Sequence, residues 1–310
     1  MPLVPTGDIL SEATHGVGAF NVVLLEQLEA VLAGAERANE PVIVQISENA
    51  VAYRGALGPL TAAAHEAIAA VSVPVALHLD HATRPDLIEE AVRRGFTSVM
   101  YDGAHLPWEE NVARTREMSD WCHAYGVWVE AELGAIGGKD GAHTPGVRTD
   151  PGEAARFVLD TGVDALAVAV GSSHQMTRRT ASLDLDLIRD LYAAVPVPLV
   201  LHGSSGVDDS HLADAVRAGM RKINIATHLN TLFTASARDR LSARPATVDP
   251  RAYLRPAREA VTDEVARLLR LIGQGQDGRV PTDATDATGP TDITDAMDST
   301  DSRKGDPCPR

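Results

Sequence analysis

Cysteine, lysine, aromatic residues and long apolar runs are all scarce in this chain, and each scarcity excludes something. Two cysteines in 310 residues, Cys122 and Cys308, cannot form a disulfide framework, so a reducing cytoplasm is the expected compartment. The longest apolar stretches, such as 165–170, are strand-sized and far below the roughly 18 residues a membrane span requires. No membrane is expected as a partner. Nor do residues 1–6 (MPLVPT) carry the basic start and apolar run of an export signal. Basic residues number 28 against 43 acidic ones, for a formal net charge of −15. So acidic a chain lacks the basic footprint that a nucleic acid needs. It still leaves room for an anionic small molecule, because a few backbone N–H groups and one metal ion can hold a phosphate locally.

What is present is alternation. Hydrophobic residues make up 44% of the chain, and short apolar runs recur at 18–23, 42–47, 75–80, 98–102, 127–132, 165–170, 199–202 and 223–227. Between them lie segments such as 24–39, 84–95, 150–162 and 208–219, whose apolar positions return every three to four residues. The last three of these end at glycine, and the segments at 150 and 208 open on aspartate, a helix-capping residue. Eight strand–helix units in about 220 residues predict a parallel α/β architecture, a closed (β/α)8 TIM barrel. An open doubly wound sheet is the alternative, although no GxGxxG follows the first run. Residues 1–273 are expected to form this one domain. From 274 to 310 the composition turns to a loose Thr-Asp repeat with few large apolar residues, which predicts a disordered acidic tail.

In a parallel barrel, chemistry gathers at the carboxyl ends of the strands. Those ends here carry His78-Leu79-Asp80-His81, Tyr101-Asp102, Glu130-Ala131-Glu132, Ser173-His174, His202-Gly203-Ser204-Ser205 and Asn224-Ile225-Ala226-Thr227. His81, His174 and His202 come from three different strands, and three imidazoles with an open fourth position suit catalytic zinc. Each could instead satisfy a local hydrogen bond. His15, His65, His123, His143 and His211 fall on loops or helices and take that plainer reading, while His78 and His105 stay undecided. Asp80, beside a candidate ligand, is the first candidate for acid/base work, with orientation of a histidine as its alternative. Asp102 and Glu132 would serve either as further metal ligands or as charge balance. Gly203, Ser204 and Ser205 offer N–H groups and hydroxyls where barrels of this kind hold phosphate, faced by Asn224–Thr227 across the mouth.

With these residues in view, the sequence resembles the class II fructose-bisphosphate/tagatose-bisphosphate aldolase family, over about residues 18–260. The matching motifs are Gln45-Ile46-Ser47, His78-Leu79-Asp80-His81, Met100 through Pro107, Glu130 through Gly134 with Gly137-Gly138, Val200 through Ser205, and Lys222 through Thr227. The resemblance implies Zn2+ on His81, His174 and His202, Asp80 as proton donor, and an alternative metal position near Asp102 and Glu132. It also implies dihydroxyacetone phosphate held by Gly203–Ser205 and Asn224–Thr227 with help from Ser47, a monovalent cation near that phosphate, and a homodimer or homotetramer. Three departures stand out: Gln175 where the family has glycine, Asp140 in place of a loop glutamate that acts as a base, and Ala104 in place of serine.

The expected reaction is reversible aldol cleavage of a phosphorylated small sugar, of fructose or tagatose 1,6-bisphosphate type. A deoxy-ketose phosphate from polyol breakdown is an alternative substrate. Other readings are a zinc hydrolase on the same barrel and a non-catalytic partner subunit. A Schiff-base aldolase would need a lysine in the mouth. Lys139 is expected on a loop, and Lys222 at the start of the eighth strand, at the end away from the mouth.

Overall fold

The computed structural model describes residues 2–134 and 147–273; Gly137, Gly138, Asp140, His143 and the 274–310 tail lie outside them. Eight parallel strands close into a barrel in chain order: β1 (Val17–Asn21), β2 (Val42–Ser47), β3 (Val75–Ala82), β4 (Ser98–Tyr101), β5 (Trp128–Leu133), β6 (Ala165–Val168), β7 (Leu199–Leu201) and β8 (Met220–Ile225). β1 pairs with β8, which rules out the open sheet.

The predicted helices form and stop where the sequence signals. Asp150 accepts a hydrogen bond from Glu153 N at 2.9 Å and opens the helix Pro151–Thr161. Asp208 does the same for His211 N at 2.9 Å and opens Asp209–Ala218. Strands β6 and β8 differ from expectation in ways that shape the mouth. β6 stops at Val168 because Thr149 takes over the backbone of Ala169, accepting its N–H at Oγ1 and donating to its carbonyl. β8 begins at Met220, directly after the helix, and ends at Ile225, so Ala226 and Thr227 open the helix Thr227–Ala243 instead of continuing the strand.

The barrel wall has two unlike faces. Leu77, Leu79, Val99, Val129, Leu166, Val168, Leu201 and Ile223 point outward into one large apolar cluster with the surrounding helices. Burying each such side chain contributes about 1.5–3 kcal/mol. Inside, the lumen has an apolar floor, where Ile9 and Leu10 of the helix Thr6–Glu12 meet Val17, Ala19, Ile43 and Ala76, and an apolar stripe along β6, where Ala165, Ala167 and Ala169 pack with Val200. Among the described residues no helix is long and apolar enough to cross a membrane.

Candidate metal centre and active site

The mouth is organised by a break in β3. Strict alternation sends His78 and Asp80 to the lumen and His81 outward. Instead the pairing with β4 shifts register between Leu79 and Ala82, and His81 takes a left-handed backbone, φ 50°. A non-glycine residue pays about 1–3 kcal/mol for such a conformation, and it persists where the surroundings over-determine it. The result is an imidazole swung back over the mouth. His202 follows β7 directly, and His174 sits on the loop after β6. The three ring centroids lie 4.6, 5.1 and 5.6 Å apart. With Glu132 of β5, the candidate ligand atoms all fall within 4.8 Å of one another.

The hydrogen bonds behind the rings orient them. His81 Nδ1 lies 3.0 Å from Asp102 Oδ2, and His202 Nε2 lies 2.9 Å from Glu130 Oε1. A carboxylate only accepts, so these two nitrogens carry the protons. The lone pairs of His81 Nε2 and His202 Nδ1 then face each other across 2.9 Å. Imidazole nitrogens so placed, with His174 and the Glu132 carboxylate in the same group, make a donor set that fits a divalent ion. Asp102 thus sits behind His81, whereas Glu132 belongs to the donor group.

Asp80 is 3% exposed. Its Oδ2 accepts from Asn21 Nδ2 at 2.7 Å, and Asn21 is held in turn by Gln45 Nε2 at 3.1 Å. Its Oδ1 makes no hydrogen bond among the described residues and lies 4.0 Å from His81 Nε2. Burial alone would raise the Asp80 carboxyl, but its electrostatic interactions with the surrounding His81, His202 and His78 imidazoles and with Lys222 outweigh this and hold the group ionised, well below the usual carboxylate range.

These groups line a cavity of about 560 Å3 that also takes in Asn21, Ser47, Tyr53, Gln175, Gly203, Ser205, Asn224, Ala226 and Thr227. Gly203 cannot carry a side chain: its φ is 66°, and a Cβ there would meet the Ser173 backbone at 2.6 Å. That close approach keeps the loops bearing His174 and His202 together. Ser205 Oγ accepts from His228 N at 3.1 Å. The helix Thr227–Ala243 has no side-chain cap at Ala226, and its first turn begins at the cavity edge with the His228 N–H taken by Ser205. Ser204 and Ile225 do not reach the cavity. The Ser204 hydroxyl donates to the Asn224 carbonyl inside the wall, and Ile225 packs outward in the apolar cluster.

Sequence reasoning missed Asn21, Glu130 and Lys222 as site-building residues. Lys222 corrects an expectation: β8 starts two residues before it, so its side chain is fully buried in the lumen, with Nζ 2.6 Å from Glu130 Oε2. The ion pair occupies the amine that a Schiff base would need. Asn21 ends β1, and the strand-end rule applied to the first strand would have found it. Of the undecided histidines, His78 lies in the lumen against Lys222, and His105 is exposed on its loop.

Comparison with known proteins agrees with this geometry. The family pattern described as "Fructose-bisphosphate aldolase class-II" matches residues 5–277. A Bacillus subtilis (strain 168) protein named "Probable fructose-bisphosphate aldolase" is 38% identical over 280 residues, 88% of this chain and 98% of that protein. Among solved structures, the YdjI aldolase of Escherichia coli K12 superposes with a TM-score of 0.77 at 31% identity, covering 88% of this chain and 98% of that one. The fructose-bisphosphate aldolase of Campylobacter jejuni gives 0.73 at 25% identity, covering 88% and 97%. The match spans the whole barrel and every strand that supplies the mouth, and the chain belongs to the class II fructose-bisphosphate aldolase family.

Proposed function

We propose that this aldolase is zinc-dependent and reversibly cleaves a ketose bisphosphate, of fructose or tagatose 1,6-bisphosphate type, into dihydroxyacetone phosphate and an aldehyde. The observation that carries the reading is the facing of His81 Nε2 and His202 Nδ1, with His174 beside them and the free oxygen of Asp80 4.0 Å from His81 Nε2. His81, His174 and His202 would hold the ion, with Glu132 in reach. Bound there, zinc supplies Lewis-acid polarisation of a ketone oxygen.

The chain's own residues do the rest. Asp80 Oδ1 takes the proton of the hydroxyl next to the bond being cleaved and returns it in condensation. Asn21 fixes the carboxylate from behind, so that one oxygen alone faces the cavity. The phosphate lies over Gly203 and Ser205, against the first turn of the helix Thr227–Ala243, where the helix dipole and the N–H groups that Ser205 does not take favour an anion. Asn224 and Ser47 flank it. Asp140 is the second candidate base, and a monovalent cation beside the phosphate and a homodimer or homotetramer complete the reading. Gln175 on the cavity wall favours a second substrate class, a deoxy-ketose phosphate with a different acceptor aldehyde.

The test is a coupled assay for released dihydroxyacetone phosphate over a panel of phosphorylated ketoses, before and after chelation and again after zinc is restored. Activity should vanish and return with the ion. Activity that survives complete metal removal, with substrate trapped covalently by borohydride, would refute the proposal.

A further inference from the structure

Below the mouth, the lumen holds a line of polar side chains that the chemistry above does not use. Thr6 Oγ1 lies 2.5 Å from Ser98 Oγ, and Ser98 Oγ 2.7 Å from His78 Nδ1. His78 Nε2 lies 3.3 Å from Lys222 Nζ, Lys222 Nζ 2.6 Å from Glu130 Oε2, and Glu130 Oε1 2.9 Å from His202 Nε2. All six residues are at most 1% exposed. The line runs from the helix under the barrel floor to a candidate metal ligand.

Such a line is a poor stabiliser. Taking an ammonium and a carboxylate out of water costs several kcal/mol per ion, and replacing a buried pair by apolar side chains is often neutral or favourable. What the pair does supply is a fixed sense. Lysine can only donate, so His78 Nε2 accepts from it and His78 Nδ1 donates to Ser98. Ionised Glu130 can only accept, so His202 Nε2 donates. Asn224 Nδ2, 3.0 Å from the same nitrogen, would demand the opposite, a bare Nε2. With Nε2 protonated the Asn224 amide turns over to offer its otherwise unpartnered Oδ1, so the His202 tautomer depends on whether Glu130 is held as a carboxylate in place.

We infer that Lys222 and Glu130, aligned from below by His78 and Ser98, are positioning residues that lock His202 as its Nε2–H tautomer and so present Nδ1 to the metal. The inference rests on the proposed role of His202 as a ligand. Removing a partner that orients a metal-bound histidine typically weakens metal binding about 10–100-fold.

The experiment uses the full chain. First, long-range 15N–1H spectra of the metal-free wild type, with His202 assigned from His202→Gln, should show a protonated Nε2 and a bare Nδ1. Second, zinc affinity is measured by competition with a chromophoric chelator for wild type, Lys222→Met and Lys222→Met/Glu130→Leu. Lys222→Met strands a buried carboxylate and should lose both stability and zinc affinity. The double variant should recover melting temperature, because no lone charge remains, yet still bind zinc about 10–100-fold more weakly. Structural support alone would restore both together. A His202 protonated on Nδ1, or a double variant within about twofold of wild-type zinc affinity, overturns the inference even if neither variant is soluble enough for every measurement, since the wild-type spectrum alone decides the tautomer. A wild type with no zinc affinity would instead overturn the proposed function of the site as well.

Discussion

The two faces of the barrel wall are one residue apart in sequence and opposite in kind. Facing the helices, Leu77, Leu79, Val129, Val168, Leu201 and Ile223 are buried and aliphatic. Facing the lumen, the same strands present His78, Asp80, Glu130, Glu132 and Lys222, equally buried, with Lys222 bonded to both His78 and Glu130. Strand β6 is the exception, its lumen face being all alanine, and Ala165 stands in register beside Glu130. Small residues beside long ones fill a lumen without overpacking it. Stability and chemistry are thus divided by the pleat: the outer face holds the barrel closed, and the inner face is free to carry charge.

Asp80 and Leu79 test that division most sharply, as chain neighbours on opposite faces. Asp80→Asn keeps shape and burial but removes the proton acceptor, so turnover should fall about 10²–10⁴-fold. Zinc content and melting temperature should stay close to wild type. Leu79→Ala should do the reverse, costing about 2–5 kcal/mol in denaturant unfolding while turnover per folded molecule changes little. If Leu79→Ala abolished turnover in the folded fraction, the two faces would not be separable.

A polar cluster outside the wall gives a weaker contrast. Glu264 accepts from Arg267 Nε at 2.8 Å and pairs with His228 at 2.6 Å, close to the Ser205 turn. Partial burial would raise its carboxyl, but the hydrogen bonds from Arg267 and His228 outweigh this and draw it from 4.5 down to about 2. A carboxyl lowered by folding stabilises the fold above its unfolded value and loses that contribution as pH falls toward its folded value. Because the group is partly solvated, Glu264→Gln should cost only about 1 kcal/mol at pH 7. The gap between variant and wild type should close between pH 4.5 and about 2. A gap unchanged at pH 2.5 would mean the cluster acts through packing and not through charge.

The outer face was the legible one. Alternating strand and helix periods, aspartate caps and glycine stops are local signals, and they placed all eight strands within a few residues. The strand-end rule likewise brought His81, His174, His202, Asp80 and Asp102 to one mouth. What it could not give was depth along the lumen. The lumen position of Lys222 was missed because the eighth strand was started at its first β-branched residue, whereas the chain enters the barrel at Met220. Glu130 and Glu132 look equivalent in sequence, yet two residues of rise put one beneath His202 and the other among the metal donors. The left-handed turn at His81 has no sequence mark at all, since histidine adopts it only under tertiary constraint.

Gln175 shares that backbone, φ 60°, and supplies the smallest effect. A left-handed conformation costs a residue with a Cβ about 1–2 kcal/mol, while glycine there loses about 0.5–1 kcal/mol more chain entropy on folding. Gln175→Gly should therefore be neutral to about 1 kcal/mol stabilising in urea unfolding, unlike nearly every glycine substitution elsewhere. It also removes a side chain from the cavity wall, so the KM for the acceptor aldehyde in condensation should move while zinc affinity does not. A clear loss of stability would mean that the glutamine side chain makes contacts worth more than its backbone strain, and the substrate preference of this mouth should then be sought in those contacts.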